Sequence, residues 1–173
     1  LSSNLFSELL TSLDSISLIY NPDEHYRLYS SYQPEKNSSM LNSNNFWSYS
    51  ESDTNPCIEI NFDVSKNVTG IIVESNNKNS YLTAYTLEYS IDNIVFNQVE
   101  PKTESIHELD NMWFKPIYDN SNQSICYFNN IILANKVCLY PKESNTNEID
   151  IRVAFIAWDW IEDISMEDIS MED

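Results

Sequence analysis

A 173-residue chain with a formal net charge of −18 is long enough to bury one sizeable core. It is also too acidic to favour a phosphate backbone or an anionic membrane surface. Its nine basic residues are scattered singly, and its only glycine is Gly70. Phosphate-cradling loops and nucleophile elbows need glycine for close backbone approach, which argues against Walker-type and Rossmann dinucleotide sites and excludes a nucleophile elbow. No apolar run is long enough for a membrane helix. The first residue is not Met and no basic leader precedes an apolar stretch, so the chain reads as a piece of a longer protein.

Cys57, Cys126 and Cys138 are three in number, without C-x-x-C or zinc spacing. They read as buried free thiols, with one disulfide plus one thiol as the alternative, and the odd count favours a reducing compartment. Asn37, Asn67 and Asn122 head N-x-S/T triplets. In a chain this rich in Asn and Ser, about four such triplets arise by chance, so they carry no evidence of secretion. With the one glycine inside the Val68–Val73 run, turns must use Asn, Asp, Ser and Pro, and Asn tolerates positive φ best.

Residues 1–14 read as a short amphipathic helix. Leu5, Phe6, Leu9, Leu10 and Leu13 follow helical spacing behind Asn4 as N-cap. Ile16–Tyr20 reads as a strand, Asn21–Glu24 as a break, and Tyr26–Tyr32 as extended chain. Gln33–Asn45 and Ser50–Pro56 read as polar loops on either side of Phe46-Trp47. Ile58, Ile60 and Phe62 alternate with polar residues, the mark of a half-buried strand. Val68–Val73 is a continuous apolar run. Tyr81, Thr83, Tyr85, Leu87 and Tyr89 alternate with Leu82, Ala84, Thr86, Glu88 and Ser90. Ser90-Ile91-Asp92-Asn93 has turn chemistry, and Ile94-Val95-Phe96 resumes a strand. The block from Val68 to Val99 therefore predicts three antiparallel strands at the centre of a β domain. Glu100–Asp110 reads as irregular, followed by the apolar Met112-Trp113-Phe114. Ser124–Phe128, Ala134–Tyr140 and Ile149–Ala157 complete the strands. The tail, 158–173, repeats Ile-Ser-Met-Glu-Asp and has seven acids and no base from Asp159 onward. It reads as low-complexity acid outside the fold.

Motifs in this order resemble the discoidin family, the type C domains of coagulation factors. Leu41-Asn42 with Phe46-Trp47, Cys57–Phe62, Val68-Thr69-Gly70-Ile71-Ile72, Tyr81–Tyr85, Tyr89–Asn93, Phe128–Pro141 and Ile149–Phe155 carry the likeness. It covers about residues 15–157. It implies an all-β jelly-roll sandwich of about eight main strands, galactose-binding-like, that binds through loops at one end. Such domains are non-catalytic and dock glycans, lipid headgroups or proteins. The terminal cysteine staple of extracellular members is missing. The arginines of lectin-like members fall at Ser75 and Asn135, the glutamate of the closing strand falls at Ala154, and Arg152 alone survives. A sugar site anchored on bidentate arginine would lose those anchors. The missing staple favours an intracellular place over a cell-surface one.

By that resemblance the ligand end comprises Tyr32, Gln33, Pro34, Glu35 and Lys36, then Glu51, Asp53 and Asn55, then Asn76, Asn77, Lys78 and Tyr81. Acids among them disfavour phosphate and anionic membrane, and no nucleic-acid partner is expected. The expected role is a non-catalytic module of a larger protein that docks a protein partner. The alternative is a lectin-like module for glycans in cell adhesion, with Tyr32 and Tyr81 as stacking platforms. No cofactor is expected. A structural calcium on Glu51, Asp53 and Asn55, or on Asp23 and Glu24, is a minor alternative. A Cys57–His25 nucleophile and base pair has nothing to orient it, and no enzyme activity is expected. The tryptophans read as packing residues.

Overall fold

A computed structural model describes residues 15–102 and 112–160. The predicted helix over 1–14 and most of the acidic tail lie outside the described residues. Seven strands form one antiparallel network. They are β1 (Ser15–Tyr20), β2 (Arg27–Tyr29), β3 (Ile58–Ser75), β4 (Leu82–Ser90), β5 (Asn97–Gln98), β6 (Gln123–Ser144) and β7 (Ile151–Trp160). The order is β1-β7-β3-β6-β4-β5, with β2 paired to β3.

Two long strands make this network a sandwich. Over Ile58–Asn61, β3 pairs with β2 and β6. Its register with β6 then breaks between Asn61 and Lys66, and over Asn67–Ser75 it pairs with β7 and β6. Asp63, Val64 and Ser65 at the bend are exposed. Ile58, Ile60 and Phe62 from the first half share one buried cluster with Ile71 and Val73 from the second and with Phe155 of β7. The two halves therefore face each other across a common core, as a bulged strand that changes layers allows. Trp47 is fully buried in that core and stacks on Tyr29, with centroids 5.7 Å apart.

Several strand expectations need correction. The strands of the Val68–Val99 block are central, but they do not pair in sequence order, because β6 lies between β3 and β4. Two pairs of predicted strands are each one continuous strand, β3 and β6, which leaves seven strands among the described residues. Ile94-Val95-Phe96 lies in the turn, and pairing resumes only at Asn97. Tyr26 belongs to a 3-10 turn, Glu24–Tyr26. β7 runs on to Trp160, past the boundary drawn at 157. The alternation in β4 also changes phase. The register with β6 shifts on both sides of Ala84, which places both Leu82 and Tyr85 in the main core.

The turn chemistry explains how the chain closes without glycine. Asn42, Asn93 and Asn122 take positive φ, at 68°, 62° and 61°, and Glu35 does so at 66°. At the β4–β5 turn, the Asp92 carboxylate accepts the backbone N–H groups of Ile94 and Val95 at 2.9 and 3.0 Å. Those bonds hold it below the ordinary carboxylate value. Gly70 has ordinary φ. Its role is close approach, since a Cβ there would sit 3.0 Å from the Cys126 carbonyl oxygen.

Candidate functional site

The three predicted loops are joined by two carboxylates. Asp150 stands just before β7. It accepts two bonds from Lys36 Nζ, at 2.9 and 2.7 Å, one from Ser48 Oγ at 2.6 Å and one from Asn76 Nδ2 at 3.0 Å. Its own carbonyl accepts the Asn76 N–H. Loop 32–37, the Trp47–Tyr49 segment and loop 76–81 thus converge on one side chain. Burial raises the Asp150 carboxyl, but the bonds from Lys36, Ser48 and Asn76 outweigh it and hold the group below the usual carboxylate range.

Asp53 does the same for the second loop. Its Oδ2 accepts the hydroxyls of Ser30 and Ser31, both at 2.6 Å, and its Oδ1 accepts the Asn55 N–H. Burial opposes these bonds without overcoming them, and the carboxyl stays depressed. Gln33 donates its amide to the Tyr49 carbonyl. Lys36, Asp53, Asn55, Asn76 and Gln33 are therefore occupied in shaping the loop end. Tyr32, Pro34, Glu35 and Glu51 remain exposed to solvent.

The carboxylates considered for calcium are similarly engaged. Glu24 accepts the Tyr29 hydroxyl at 2.7 Å and the N–H groups of Ser39 and Met40. Asp23 lies 3.5 Å from His25. Among the described residues, no three His, Cys, Asp or Glu side chains converge on a metal position. Cys57 lies against Cys138 and Tyr140, whereas the His25 ring packs at a tilt against Tyr26, so the Cys57–His25 pair is not assembled. The hydrogen bond from Cys138 lowers the Cys57 thiol, and that bond together with burial raises Cys138. All three cysteines are free.

A cleft of about 460 Å³ opens between loop 75–81 and the segment 116–122. Tyr81 and Tyr118 stand at its wall, with ring centroids 5.4 Å apart and planes 60° apart. Asn77, Lys78, Asp119 and Asn120 add polar groups around them. Four features hold its shape. The Ser75 N–H bonds the Asn122 carbonyl at 2.9 Å. Ser75 Oγ donates within its own loop, to the Asn77 and Ser80 carbonyls. Tyr118 donates its hydroxyl to the Leu82 carbonyl at 2.8 Å, and burial pushes that hydroxyl up, so it is a neutral anchor. Asp119 accepts the N–H groups of Ser121 and Gln123, which folds 116–122 into a compact turn.

Of the twelve predicted site residues, Asn77, Lys78 and Tyr81 line this cleft, and the others do not. Tyr118 and Asp150 escaped the sequence reading. An aromatic between Pro116 and the Asp119–Asn122 turn was a visible signal for the first. Asp150 was read as part of a strand, and nothing in its neighbours marks it as a hub.

The model of the F5/8 type C domain family matches residues 24–155. Compared with curated protein sequences, the chain matches none significantly. Recombinant discoidin II of Dictyostelium discoideum superposes with a TM-score of 0.56 at 20% identity, covering 76% of this chain and 54% of that one. The family 32 carbohydrate-binding module of C. perfringens NanJ, solved in complex with galactose, gives a TM-score of 0.54 at 15% identity. It covers 83% of this chain and all of that one. A Clostridium perfringens module solved with GalNAc-β-1,3-galactose gives 0.53 at 16% identity, covering 75% and 92%. This chain spans little more than half of discoidin II. At these identities the likeness shows the fold.

Proposed function

This chain belongs to the F5/8 type C domain family, and from that membership we propose that it is a binding module holding a neutral glycan in the cleft between 75–81 and 116–122. One observation carries the reading: two tyrosines share the wall of a cleft whose rim is amide-rich. A pyranose presents C–H groups on its faces and hydroxyls at its edges. The first pack on aromatic rings, and the second bond to amide and ammonium groups. Asn77 and Asn120 offer both donors and acceptors, and Lys78 offers donors. Asp119 balances Lys78, so nothing in the cleft selects a strong anion. Similar folds solved with galactose and with GalNAc-β-1,3-galactose support the choice of ligand class. They lend no support to the intracellular location expected from the missing staple.

A glycan array followed by calorimetry tests this. Binding is expected, and Tyr81→Ala should weaken it about 5- to 30-fold, the loss of roughly 1–2 kcal/mol of stacking. Glu51→Ala, on an exposed loop away from the cleft, should leave it unchanged. An inert array, or binding indifferent to Tyr81, overturns the reading.

Protein docking, the role first expected from the sequence, rests on a different observation. Ile91, Ile94 and Val95 at the β4–β5 turn are 51%, 81% and 59% exposed, and they lie at the opposite end of β4 from the cleft. A stoichiometric partner lost on Ile94→Asp, with no glycan bound, would favour it.

A further inference from the structure

The outer face of the layer that holds the first half of β3 carries two thiols on neighbouring strands. Glu59 faces Cys138 across β3 and β6, and Ile58 faces Leu139. Ile58 and Leu139 point into the core. Cys138, and Cys57 one residue before β3, therefore lie on the opposite face. Cys57 is level with Tyr140, and Cys138 is its diagonal neighbour. The two thiols share a hydrogen bond. Cys138 is 3% exposed, whereas Cys57 is open in part to solvent. The Lys136–Glu59 ion pair, 3.7 Å, and the hydrogen bond from Tyr140 to Glu88, 3.2 Å, flank them. Neither thiol lines the cleft of Tyr81 and Tyr118.

A disulfide fits this spacing poorly. Diagonal neighbours have Cα atoms about 7–8 Å apart, and a disulfide takes roughly 4.4–6.8 Å. A metal ion between the sulfurs lengthens the bridge. Two thiolate–metal bonds of about 2.3 Å in line hold the sulfurs about 4.6 Å apart, against about 2.05 Å in a disulfide. Zinc and calcium need four or more donors, and among the described residues no third His, Cys, Asp or Glu joins these two. Cuprous ion is soft, prefers thiolate and accepts two donors in line. We propose that Cys57 and Cys138 form a two-coordinate site for Cu(I). On binding, two S–H bonds break, two S–Cu bonds form and both protons pass to solvent, with no change of oxidation state. Cys57 is the entry ligand, being the more exposed and favoured as thiolate by the bond from Cys138. The dithiolate centre carries one net negative charge, which the Lys136 ammonium beside Cys138 offsets.

Anaerobic titration of the reduced full chain with Cu(I), in millimolar glutathione and with bicinchoninate as the competing chelator, tests the proposal. One equivalent should be retained. X-ray absorption of that complex should show two sulfur neighbours and no nitrogen or oxygen. Cys57→Ser and Cys138→Ser should each lower the affinity at least ~100-fold, beyond the cost of losing a group that only supports a ligand, while Cys126→Ser keeps it. Cu(I) lost to glutathione, a nitrogen or oxygen neighbour in place of either sulfur, or affinity indifferent to Cys57→Ser overturns the proposal. So does a Cys57–Cys138 disulfide found by mass spectrometry after treatment with glutathione disulfide, because the thiols would then approach closely enough to bond directly.

Discussion

Replacing Asp150 with alanine removes the side chain on which two loops and the Trp47–Tyr49 segment converge. Four hydrogen bonds end on its two oxygens, two of them from the Lys36 ammonium. Its side chain is 14% exposed, against 39% for Lys36. A bond to a charged group is worth about 1.5–3 kcal/mol in a buried setting. The partial exposure of Lys36 discounts its share, because a freed ammonium can rehydrate. Ser48 keeps a second acceptor, the Ile149 carbonyl. The expected net loss is therefore about 2–3 kcal/mol, or a fall in Tm of roughly 5–10 °C for a chain of this length. Asp150→Asn should cost less, since the amide oxygen can still accept from Ser48. Urea denaturation followed by tryptophan fluorescence measures both. A loss below about 0.5 kcal/mol for Asp150→Ala refutes the claim that this carboxylate ties the loop end together.

Three further outcomes follow from the same geometry. Asp150 and Asp53 both have depressed folded-state values. Their contribution is fully present above the unfolded carboxylate value, about 3.9, and is lost as pH falls through the folded values. Stability should hold level from pH 7 to about 5 and drop below about 4, with a shallower drop in Asp150→Asn; equal slopes count against the assignment. Arg27 is 4% exposed and donates to the carbonyls of Pro22, Ser39 and Val153 and to Asn21 Oδ1. Arg27→Leu should cost about 3–5 kcal/mol by stranding those acceptors, and a near-neutral melt would show that they find water instead. Gly70→Ala places a methyl 3.0 Å from the Cys126 backbone oxygen. It should destabilise by about 1–2 kcal/mol, whereas a stabilised protein would mean that β6 moves freely away.

What the sequence made legible, and what it did not, divides along sequence distance. Local features read well. Asn93 was placed in a turn, and it takes positive φ there, as do Asn42 and Asn122. The alternation of Ile58, Ile60 and Phe62 and the run from Val68 became one buried strand. Partners far along the chain did not read. Periodicity says that a strand has a buried face, not which strand lies beside it. Nothing near Val68–Val99 shows that β6, some fifty residues on, inserts between β3 and β4. The site failed in the same way. Lys36 and Asp53 look like free ligand groups until their partners are known, and the partner of Lys36 is 114 residues away. Tyr81 could be singled out because a resemblance placed its loop at the ligand end. Its neighbour Tyr118 comes from a segment that no motif marked.

The proposed function places the ligand in the cleft of Tyr81 and Tyr118. Titrating the ¹⁵N-labelled protein with galactose and with GalNAc-β-1,3-galactose tests it most directly. Saturable shift changes are expected at Asn77, Lys78, Tyr81, Tyr118 and Asn120, with quiet resonances at Tyr32, Glu51 and Ile94. Changes centred on the β4–β5 turn or on loop 32–37, or no change with either sugar, would contradict it.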